Sequence, residues 1–319
     1  MNTIPSTFNE YQINRTVLGG TQANPNAQLD ISVIMLNSSG SHLRIQVLEN
    51  LLNCGVKSIV SVEPNSESYN IEDISRRYPS VKFLIPLEKA TDGVLINMAM
   101  AELDSKYVLV LRDSLHVPAG FLSKNLAEKF ISSDVYCIVP RLLAASGTAV
   151  ITNFSPSAHR GSFKMMPNQI TQDGLPTLYP FNYVGLYNRQ KFIYLGGFDY
   201  TISSSYWQNA DLALRSWLWG ERTEVTTTFQ ISYAEEIPAE NVKPDIPYLR
   251  FYLKNVLPRF KADHGQIPHF SFLRFFFKSS CGIFEAISQF KEAKNWVNKN
   301  KFRFKCDVQH LIENWTDLK

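Results

Sequence analysis

The chain has 319 residues, of which 45% are hydrophobic and 13% aromatic, so it can bury a sizeable core. No stretch of 18 or more apolar residues occurs, and the sequence therefore predicts no membrane-spanning helix. The net charge is only +3 and no nucleic-acid-binding module is recognisable, so we expect no nucleic acid partner. The first 30 residues are polar and lack the apolar segment of a signal peptide, which favours a cytoplasmic protein.

Short apolar strands alternate with amphipathic helices over the first half of the chain. After a polar arm at residues 1–29, we predict strands at 31–36, 56–62, 81–85, 107–111 and 135–139, and helices at 42–54, 71–78, about 92–104 and 121–130. Ser41 is the expected cap of the first helix. This alternation with short connections predicts a parallel, doubly wound α/β sheet.

The strand Tyr107–Leu111 is the most informative element, because it is apolar throughout and is followed by Arg112, Asp113 and Ser114. In open α/β sheets, ligands bind just outside the carboxyl ends of the strands. A polar triplet after an uninterrupted apolar strand therefore marks the first place to look for chemistry. The alternative is an ordinary surface turn.

The regular pattern lapses between Arg141 and Tyr183, where Ser, Thr, Asn, Pro and Gly are frequent. We expect an irregular segment that shapes the choice of acceptor, since long loops inside a domain are commonly functional.

A second informative stretch begins at Gly196-Gly-Phe-Asp199 and continues into a helix predicted from Asn209 onward. Asp211 would lie in the first turn of that helix, where the helix dipole favours a carboxylate irrespective of function. Trp207 could stack on a sugar or pack in the core.

These stretches resemble the inverting GT-A glycosyltransferases of family 2 over about residues 30–235. The resemblance is carried by the strand ending at Asp113, Pro118 after it, Asn97 in the preceding helix, and Gly196-Gly-Phe-Asp199 followed by Asp211-Leu-Ala-Leu-Arg215. It implies a GT-A fold, with a mostly parallel sheet flanked by helices. It also implies transfer of a sugar, with inversion, from a nucleotide diphosphate sugar to a cell-surface glycan or a lipid-linked precursor.

The resemblance also implies roles for individual residues. Those placed at the nucleotide sugar are Asn37, Ser38, Glu63, Asn97, Arg112 and Asp113; those near the acceptor are Trp207 and Asn209; those with a catalytic role are Asp199 and Asp211.

Three positions depart from the family pattern. The nucleobase-binding turn, usually two acids, is Glu63-Pro64 in this chain. In the family, the strand ends in an Asp-x-Asp motif that supplies two acids to a divalent metal. Here only the second acid, Asp113, is present, and Leu111 or Arg112 occupies the position of the first. The acid pair at the helix start is replaced by Gln208 and Asn209, and an amide cannot take a proton from a hydroxyl. Two alternatives therefore remain for neutralising the diphosphate: a divalent metal (Mn or Mg) at Asp113, or the fixed positive charge of Arg112 in place of the metal. A catalytically inactive GT-A domain that binds a glycan, a nucleotide or a protein stays open as well.

Residues 241–319 are predicted to form a basic, aromatic, helical extension. From Lys243 to the end there are 14 Lys and Arg against 7 Asp and Glu. Such an element suits an anionic membrane surface, which would place the protein at the inner face of the plasma membrane. Alternatively, the phenylalanines pack onto the main domain and the lysines are solvated.

Overall fold

The computed structural model describes residues 4–38, 44–64, 71–159, 162–243, 245–268, 270–279 and 282–315. Ser41 and the first residues of the helix predicted at 42–54 lie outside these ranges. The strands are β1 (Arg15–Gly19), β2 (Ile31–Leu36), β3 (Ile59–Val62), β4 (Val81–Pro86), β5 (Tyr107–Arg112), β6 (Leu115–His116), β7 (Cys137–Leu143), β8 (Asn153–His159), β9 (Ser162–Asn168), β10 (Gly185–Asn188), β11 (Thr223–Tyr233), β12 (Arg259–Lys261) and β13 (His264–Gln266).

The helices alternate with these strands and then dominate the last quarter of the chain. They are α1 (Arg44–Asn53), α2 (Ile71–Arg77), α3 (Asp92–Ala101), α4 (Lys124–Ser132), α5 (Arg189–Tyr194), α6 (Ser205–Leu218), α7 (Ile246–Phe251), α8 (Ser271–Ser279), α9 (Ile283–Asn300) and α10 (Val308–Glu313), with a π-helical turn at Tyr252–Val256 and 3-10 turns at Phe181–Tyr183 and Lys301–Arg303.

Nine strands of the described residues form one sheet in the order β1-β4-β3-β2-β5-β10-β7-β11-β6. Strands β4, β3, β2 and β5 are parallel, and β7 pairs in parallel with β11. Strand β10 runs antiparallel between β5 and β7 and interrupts the parallel order. The central strands β2 and β3 are buried throughout, as expected where helices cover both faces of a parallel sheet. The prediction of a mostly parallel α/β sheet is therefore confirmed.

The polar arm is part of the sheet rather than an irregular lead-in. Strand β1 pairs antiparallel with β4 along the edge, from Arg15 opposite Pro86 to Gly19 opposite Lys82. Ile4 and Ile13 are buried, and Pro5 accepts a hydrogen bond from the Trp296 indole at 2.9 Å. The few apolar side chains of the arm are widely spaced, which is why no strand was predicted.

The segment expected to be irregular also contains regular structure. Strands β8 and β9 form an antiparallel hairpin, from Asn153 opposite Asn168 to His159 opposite Ser162. Side chains on this hairpin are largely polar or half-buried, so it lacks the apolar alternation that announces a strand.

The C-terminal region shares a hydrophobic core with the sheet. Phe251, Trp296 and Phe304 belong to the same buried cluster as Trp217 and Trp219 of helix α6 and its following turn. Part of the aromatic content therefore packs onto the main domain, as the second interpretation of this region predicted. Within the described ranges, no helix is both long enough and apolar enough to cross a membrane.

Candidate active site

A buried polar network lies at the carboxyl ends of β2 and β3. Asn37 Nδ2 donates to Ser61 Oγ at 2.7 Å and to Glu63 Oε1 at 3.2 Å. Ser61 Oγ donates to the same Glu63 oxygen at 2.8 Å, and an Arg44 guanidinium nitrogen lies 2.7 Å from it. Burial raises the pKa of Glu63, although Arg44 opposes this shift. The structure thus brings together Asn37 and Glu63, two residues predicted at the nucleoside.

Two acceptor atoms of this network are buried and have no hydrogen-bond donor among the described residues: Asn37 Oδ1 and Glu63 Oε2. Leaving a buried acceptor without a donor costs about 1–3 kcal/mol. These two oxygen atoms are therefore suited to accept hydrogen bonds from N–H groups of a bound molecule.

Asp113 continues this polar region at the end of β5. One carboxylate oxygen accepts from the Ser38 backbone N–H at 2.8 Å, and the other accepts from Ser38 Oγ at 2.9 Å. The side chain is almost entirely buried, and burial raises its pKa in spite of these bonds. Ser38 and Asp113, both predicted at the nucleotide sugar, therefore contact each other, and Asp113 holds Ser38 in place just after β2.

The residues around Asp113 do not fit a divalent metal. Hard cations require several oxygen ligands, whereas Ser38 engages both Asp113 oxygens and the neighbouring residue is the cation Arg112. Leu111 is fully buried in the core. Across the described parts of the chain, no group of three or more His, Cys, Asp or Glu side chains could hold a metal ion.

Arg112 points instead into a cavity of about 490 Å3, here called the charged cavity. Its guanidinium lies 2.7 Å from Asp92 Oδ2, at the first turn of helix α3. Both side chains are partly exposed, so the pair is open to a ligand. Residues that line the charged cavity include Asp92, Arg112, Asn182, Ser204, Glu240 and Asp245.

Glu240 is a carboxylate of the charged cavity that sequence reasoning missed. Its oxygens accept from the Tyr179 hydroxyl at 2.6 Å and from the Asn182 backbone N–H at 3.4 Å. Burial raises its pKa, while the bond from Tyr179 and the charge of Arg112 act in the opposite direction. A half-buried carboxylate with a raised pKa beside a cavity is suited to accept a proton. Glu240 belongs to a polar loop after β11 without a recognisable pattern, so the sequence carried no signal for it.

Asn97 and Gln208 are structural cross-links rather than ligands of an open site. The Asn97 amide exchanges two hydrogen bonds with the Phe198 backbone, at 2.8 and 2.9 Å. Gln208 is fully buried; it accepts from the Gly93 N–H at 3.1 Å and donates to the Asp199 carbonyl at 2.9 Å. The structure therefore keeps Asn97 apart from the other residues predicted at the nucleotide sugar.

Asp199 and Asp211, predicted as catalytic, have no accessible surface. The fully buried Lys254 ammonium donates to Asp199 at 2.7 Å and to Asp211 at 2.9 Å, and Asn255 Nδ2 donates to Asp211 at 2.7 Å. Burial acts to raise the pKa of Asp199, but the Lys254 charge and the hydrogen bonds from Lys254 and Thr201 together lower it. An acceptor cannot reach either carboxylate in this geometry. Both carboxylates instead hold the π-helical turn against helix α6.

Helix α6 begins earlier than predicted. Ser204 caps it by accepting from the Trp207 N–H at 3.4 Å, so Asp211 lies in the second turn and the expected dipole effect does not apply. Asn209 is buried, and its amide donates to the Pro180 carbonyl at 2.7 Å, which removes it from the acceptor set.

Trp207 does reach a cavity, although it is not the charged one. Its indole donates to the Lys243 carbonyl at 2.8 Å, and its ring lines a second cavity of about 710 Å3. We call this the apolar cavity; residues that line it include Phe163, Met165, Tyr206, Trp207, Tyr248 and Tyr252. Tyr206 lines both cavities, which are therefore adjacent.

No protein-family model matches the chain, and no curated protein sequence matches it. Among solved structures, it is similar to GalNAc-T7 in a crystal structure with UDP, GalNAc and Mn2+, with a TM-score of 0.60 and 13% identity over 91% of this chain and 56% of that chain. It also aligns with the mannosyltransferase PcManGT from Pyrobaculum calidifontis, in complex with GDP-Man and Mn2+, with a TM-score of 0.46 and 11% identity over 97% of this chain and 84% of that one. The chain thus spans about half the length of GalNAc-T7. The likeness to GalNAc-T7 confirms the GT-A fold predicted from the sequence.

Proposed function

We propose that the protein transfers a sugar from a nucleotide diphosphate sugar to an acceptor hydroxyl, and that the charged cavity is its reaction site. The observation that carries this proposal is the pairing of a cation, Arg112, with a proton acceptor, Glu240, in one cavity at the carboxyl end of β5. Ligands of open α/β sheets bind at that edge.

The nucleoside would bind at the ends of β2 and β3. Asn37 Oδ1 and Glu63 Oε2 would accept from N–H groups of the base and so gain the donors they lack. Ser38, which Asp113 holds in place, would lie beside the nucleoside of the nucleotide sugar as well. The diphosphate would then extend toward Arg112, whose planar guanidinium suits two phosphate oxygens.

The reaction is a direct displacement with inversion, as the family resemblance implies. Glu240 takes the proton of the acceptor hydroxyl while the acceptor oxygen forms a bond to the anomeric carbon. The bond from that carbon to the phosphate oxygen breaks, and the nucleoside diphosphate leaves with the electron pair. Arg112 offsets the charge that develops on the leaving group, which is the task a metal performs in a site with two acids. Asp92 and Asp245 can accept from sugar hydroxyls.

A non-catalytic GT-A domain is the second candidate. In the resembled family, two acids stand at the start of this helix, whereas here the two positions are the buried amides Gln208 and Asn209. Both side chains make hydrogen bonds inside the protein. This observation favours a domain that binds a nucleotide or glycan without turnover. Turnover that requires Glu240 would distinguish the candidates, because a binding domain needs no general base.

Donor binding can be tested by thermal unfolding with UDP, GDP, CDP or dTDP, each in EDTA and in manganese. A ligand at a hundredfold excess over its Kd stabilises the folded state by about 2.7 kcal/mol, which raises the melting temperature. We expect one nucleotide to raise it equally in both conditions, and the shift to disappear in Arg112→Ala. Arg76→Ala, an exposed arginine of helix α2, is the matched control and should keep the shift. A shift that requires manganese, or one that Arg112→Ala retains, would contradict the proposed role of Arg112.

A further inference from the structure

The apolar cavity adjoins the proposed reaction site but differs from it in chemistry. Its walls come from hairpin strand β9, the start of α6, α7 with the π-helical turn, and Phe275 of helix α8. Aromatic rings supply most of the surface: Trp207 packs against Tyr206 at 4.7 Å and against Tyr248 at 4.7 Å between ring centroids. Its volume of about 710 Å3 is in the range of ligand-binding cavities.

Helix α8 separates this cavity from an exposed apolar surface. Phe275 is buried and faces the cavity, whereas Leu273 and Phe277 on the opposite side of the helix are 60% and 81% exposed. Helix α9 packs beside α8 through Phe290, which lies 5.3 Å from Phe272 between ring centroids. Its first turns add further exposed apolar side chains. We call the whole set the apolar patch: Phe270, Leu273, Phe277, Ile283, Phe284 and Ile287.

Lysines continue the apolar patch along helix α9. Phe284, Ile287, Lys291 and Lys294 are spaced by three or four residues and therefore lie on one face of the helix. Both lysines are exposed. Seven residues separate Phe284 from Lys291, which corresponds to about 10 Å along the axis. A helix that inserts its apolar end about 5–10 Å into a bilayer would thus place these ammonium groups at the lipid headgroups.

We propose that the acceptor is a lipid-linked molecule whose hydrocarbon chain occupies the apolar cavity, and that the apolar patch rests on an anionic membrane from which this chain enters. The proposal rests on the proposed function for the transfer step. With the chain beside Trp207 and Tyr206, the headgroup hydroxyl lies toward the charged cavity. There it attacks the anomeric carbon, passes its proton to Glu240 and releases the nucleoside diphosphate.

A lipid fits these observations better than a protein or a free glycan. The patch joins exposed phenylalanines to lysines along one helix face, which complements an apolar layer bordered by negative headgroups. A free glycan needs many hydrogen-bonding groups, whereas the cavity is walled mainly by aromatic and aliphatic side chains. The cavity and the patch also share helix α8, which contributes Phe275 to the cavity and Leu273 and Phe277 to the patch.

Membrane binding can be tested with the full chain by sedimentation with phosphatidylcholine vesicles, with and without phosphatidylglycerol, at low salt. We expect binding to the anionic vesicles. The combined substitution Phe277→Glu and Phe284→Glu should weaken it at least about tenfold, because each exposed ring that would enter the bilayer is replaced by a charge. Lys291→Glu with Lys294→Glu should abolish the preference for phosphatidylglycerol. Leu87→Glu, an exposed apolar residue after β4, is the matched control and should bind like the wild type.

Chain binding can be tested with a palmitic acid analogue that carries a photoreactive diazirine, followed by mass spectrometry of the cross-linked peptides. We expect labels on Phe163, Met165, Tyr248 or Tyr252. Val242→Trp should block this labelling, since Val242 lines the cavity yet is 57% exposed and tolerates a larger side chain. Ser162→Trp, at the exposed rim, is a second blocking variant.

Neither vesicle binding nor cavity labelling depends on sugar transfer. The lipid proposal can therefore fail independently of the proposed function. No binding to anionic vesicles, or labels confined to the apolar patch, would overturn the lipid proposal even if a nucleotide shifts the melting temperature. Self-association through the patch without vesicle binding would overturn it too. Vesicle binding and cavity labelling together with no nucleotide response would leave the lipid site in place and remove the proposed function.

Discussion

The carboxylates near the start of helix α6 lie in two contrasting environments. Asp199 and Asp211 are completely buried and share the ammonium of Lys254. Glu240 is half-buried, borders a cavity, and receives its two hydrogen bonds from the neutral groups of Tyr179 and Asn182. Burial acts to raise the pKa of both Asp199 and Glu240, but the net shift is downward for Asp199, which pairs with Lys254, and upward for Glu240.

The two environments suit different roles, namely stabilising the fold and, as proposed above, accepting a proton. The buried carboxylates that share Lys254 hold two elements together, in this case α6 and the π-helical turn of the C-terminal region. Burial of Glu240 outweighs the charge of Arg112 and raises its pKa, so this carboxylate takes up a proton more readily, as a general base requires. All of these side chains are carboxylates, so motif matching alone does not distinguish the buried, paired ones from the one that borders a cavity.

The largest effect is expected from Lys254→Met. It leaves two buried carboxylates without their ammonium, and removing one partner of a buried ion pair costs about 3–5 kcal/mol. Urea unfolding should show this loss, and adding Asp199→Asn and Asp211→Asn to the variant should recover part of it. Lys124→Met on exposed α4 is the control and should change little. A loss below about 1 kcal/mol would mean that the buried pair is not a structural anchor.

Glu240→Gln should abolish turnover while keeping the fold. Loss of a general base lowers kcat by about 10²–10⁴-fold. Release of nucleoside diphosphate from the donor measures this effect, and nucleotide binding should persist in the variant. Glu128→Gln on α4 is the exposed control. Unchanged turnover in Glu240→Gln would exclude Glu240 as the base.

The two environments also predict opposite dependences of stability on pH. The pKa of Asp199 is lowered in the folded state, so its contribution is present above the pKa of about 3.9 in the unfolded chain and is lost as pH falls through the folded value. The pKa of Glu240 is raised, so the folded state favours the protonated form and loses stability as pH rises through that value.

Urea midpoints measured between acidic and neutral pH test this difference. The stability of Glu240→Gln relative to the wild type should improve as pH rises, and the penalty of Asp199→Asn should shrink as pH falls. Parallel curves for the two variants would contradict the assigned environments. The acidic limb of turnover by the wild type should also lie above the ordinary pKa of Glu.

The smallest effect is expected from Asp92→Asn. Neutralising Asp92 frees the Arg112 guanidinium for phosphate and should raise nucleotide affinity about two- to fivefold, in keeping with a partly exposed ion pair. Titration calorimetry can measure the change. Weaker binding would place Asp92 rather than Arg112 at the donor.

The sheet and half of the candidate site could be predicted from the sequence. Continuous apolar runs such as Tyr107–Leu111 have few alternatives to a buried strand, and the polar residues after them share the sheet edge by topology. The meeting of Asn37 with Glu63, and of Ser38 with Asp113, follows from this rule.

The other half depends on contacts between distant parts of the chain. Lys254 meets Asp199 across 55 residues, and Glu240 meets Tyr179 across 61. No local spacing encodes such pairs, and an isolated Glu in a polar loop looks like any solvated residue. Strand β1 was missed for a related reason, because pairing with β4 at a sheet edge stabilises it more than its own pattern does.

The most direct test is the release of nucleoside diphosphate from UDP-, GDP-, CDP- and dTDP-sugars by the wild-type chain in EDTA, with water as the acceptor. We predict slow hydrolysis of one donor, abolished by Arg112→Ala and by Glu240→Gln. No release from any donor, by a chain whose melting temperature still rises with a nucleotide, would contradict the enzyme and identify a binding domain.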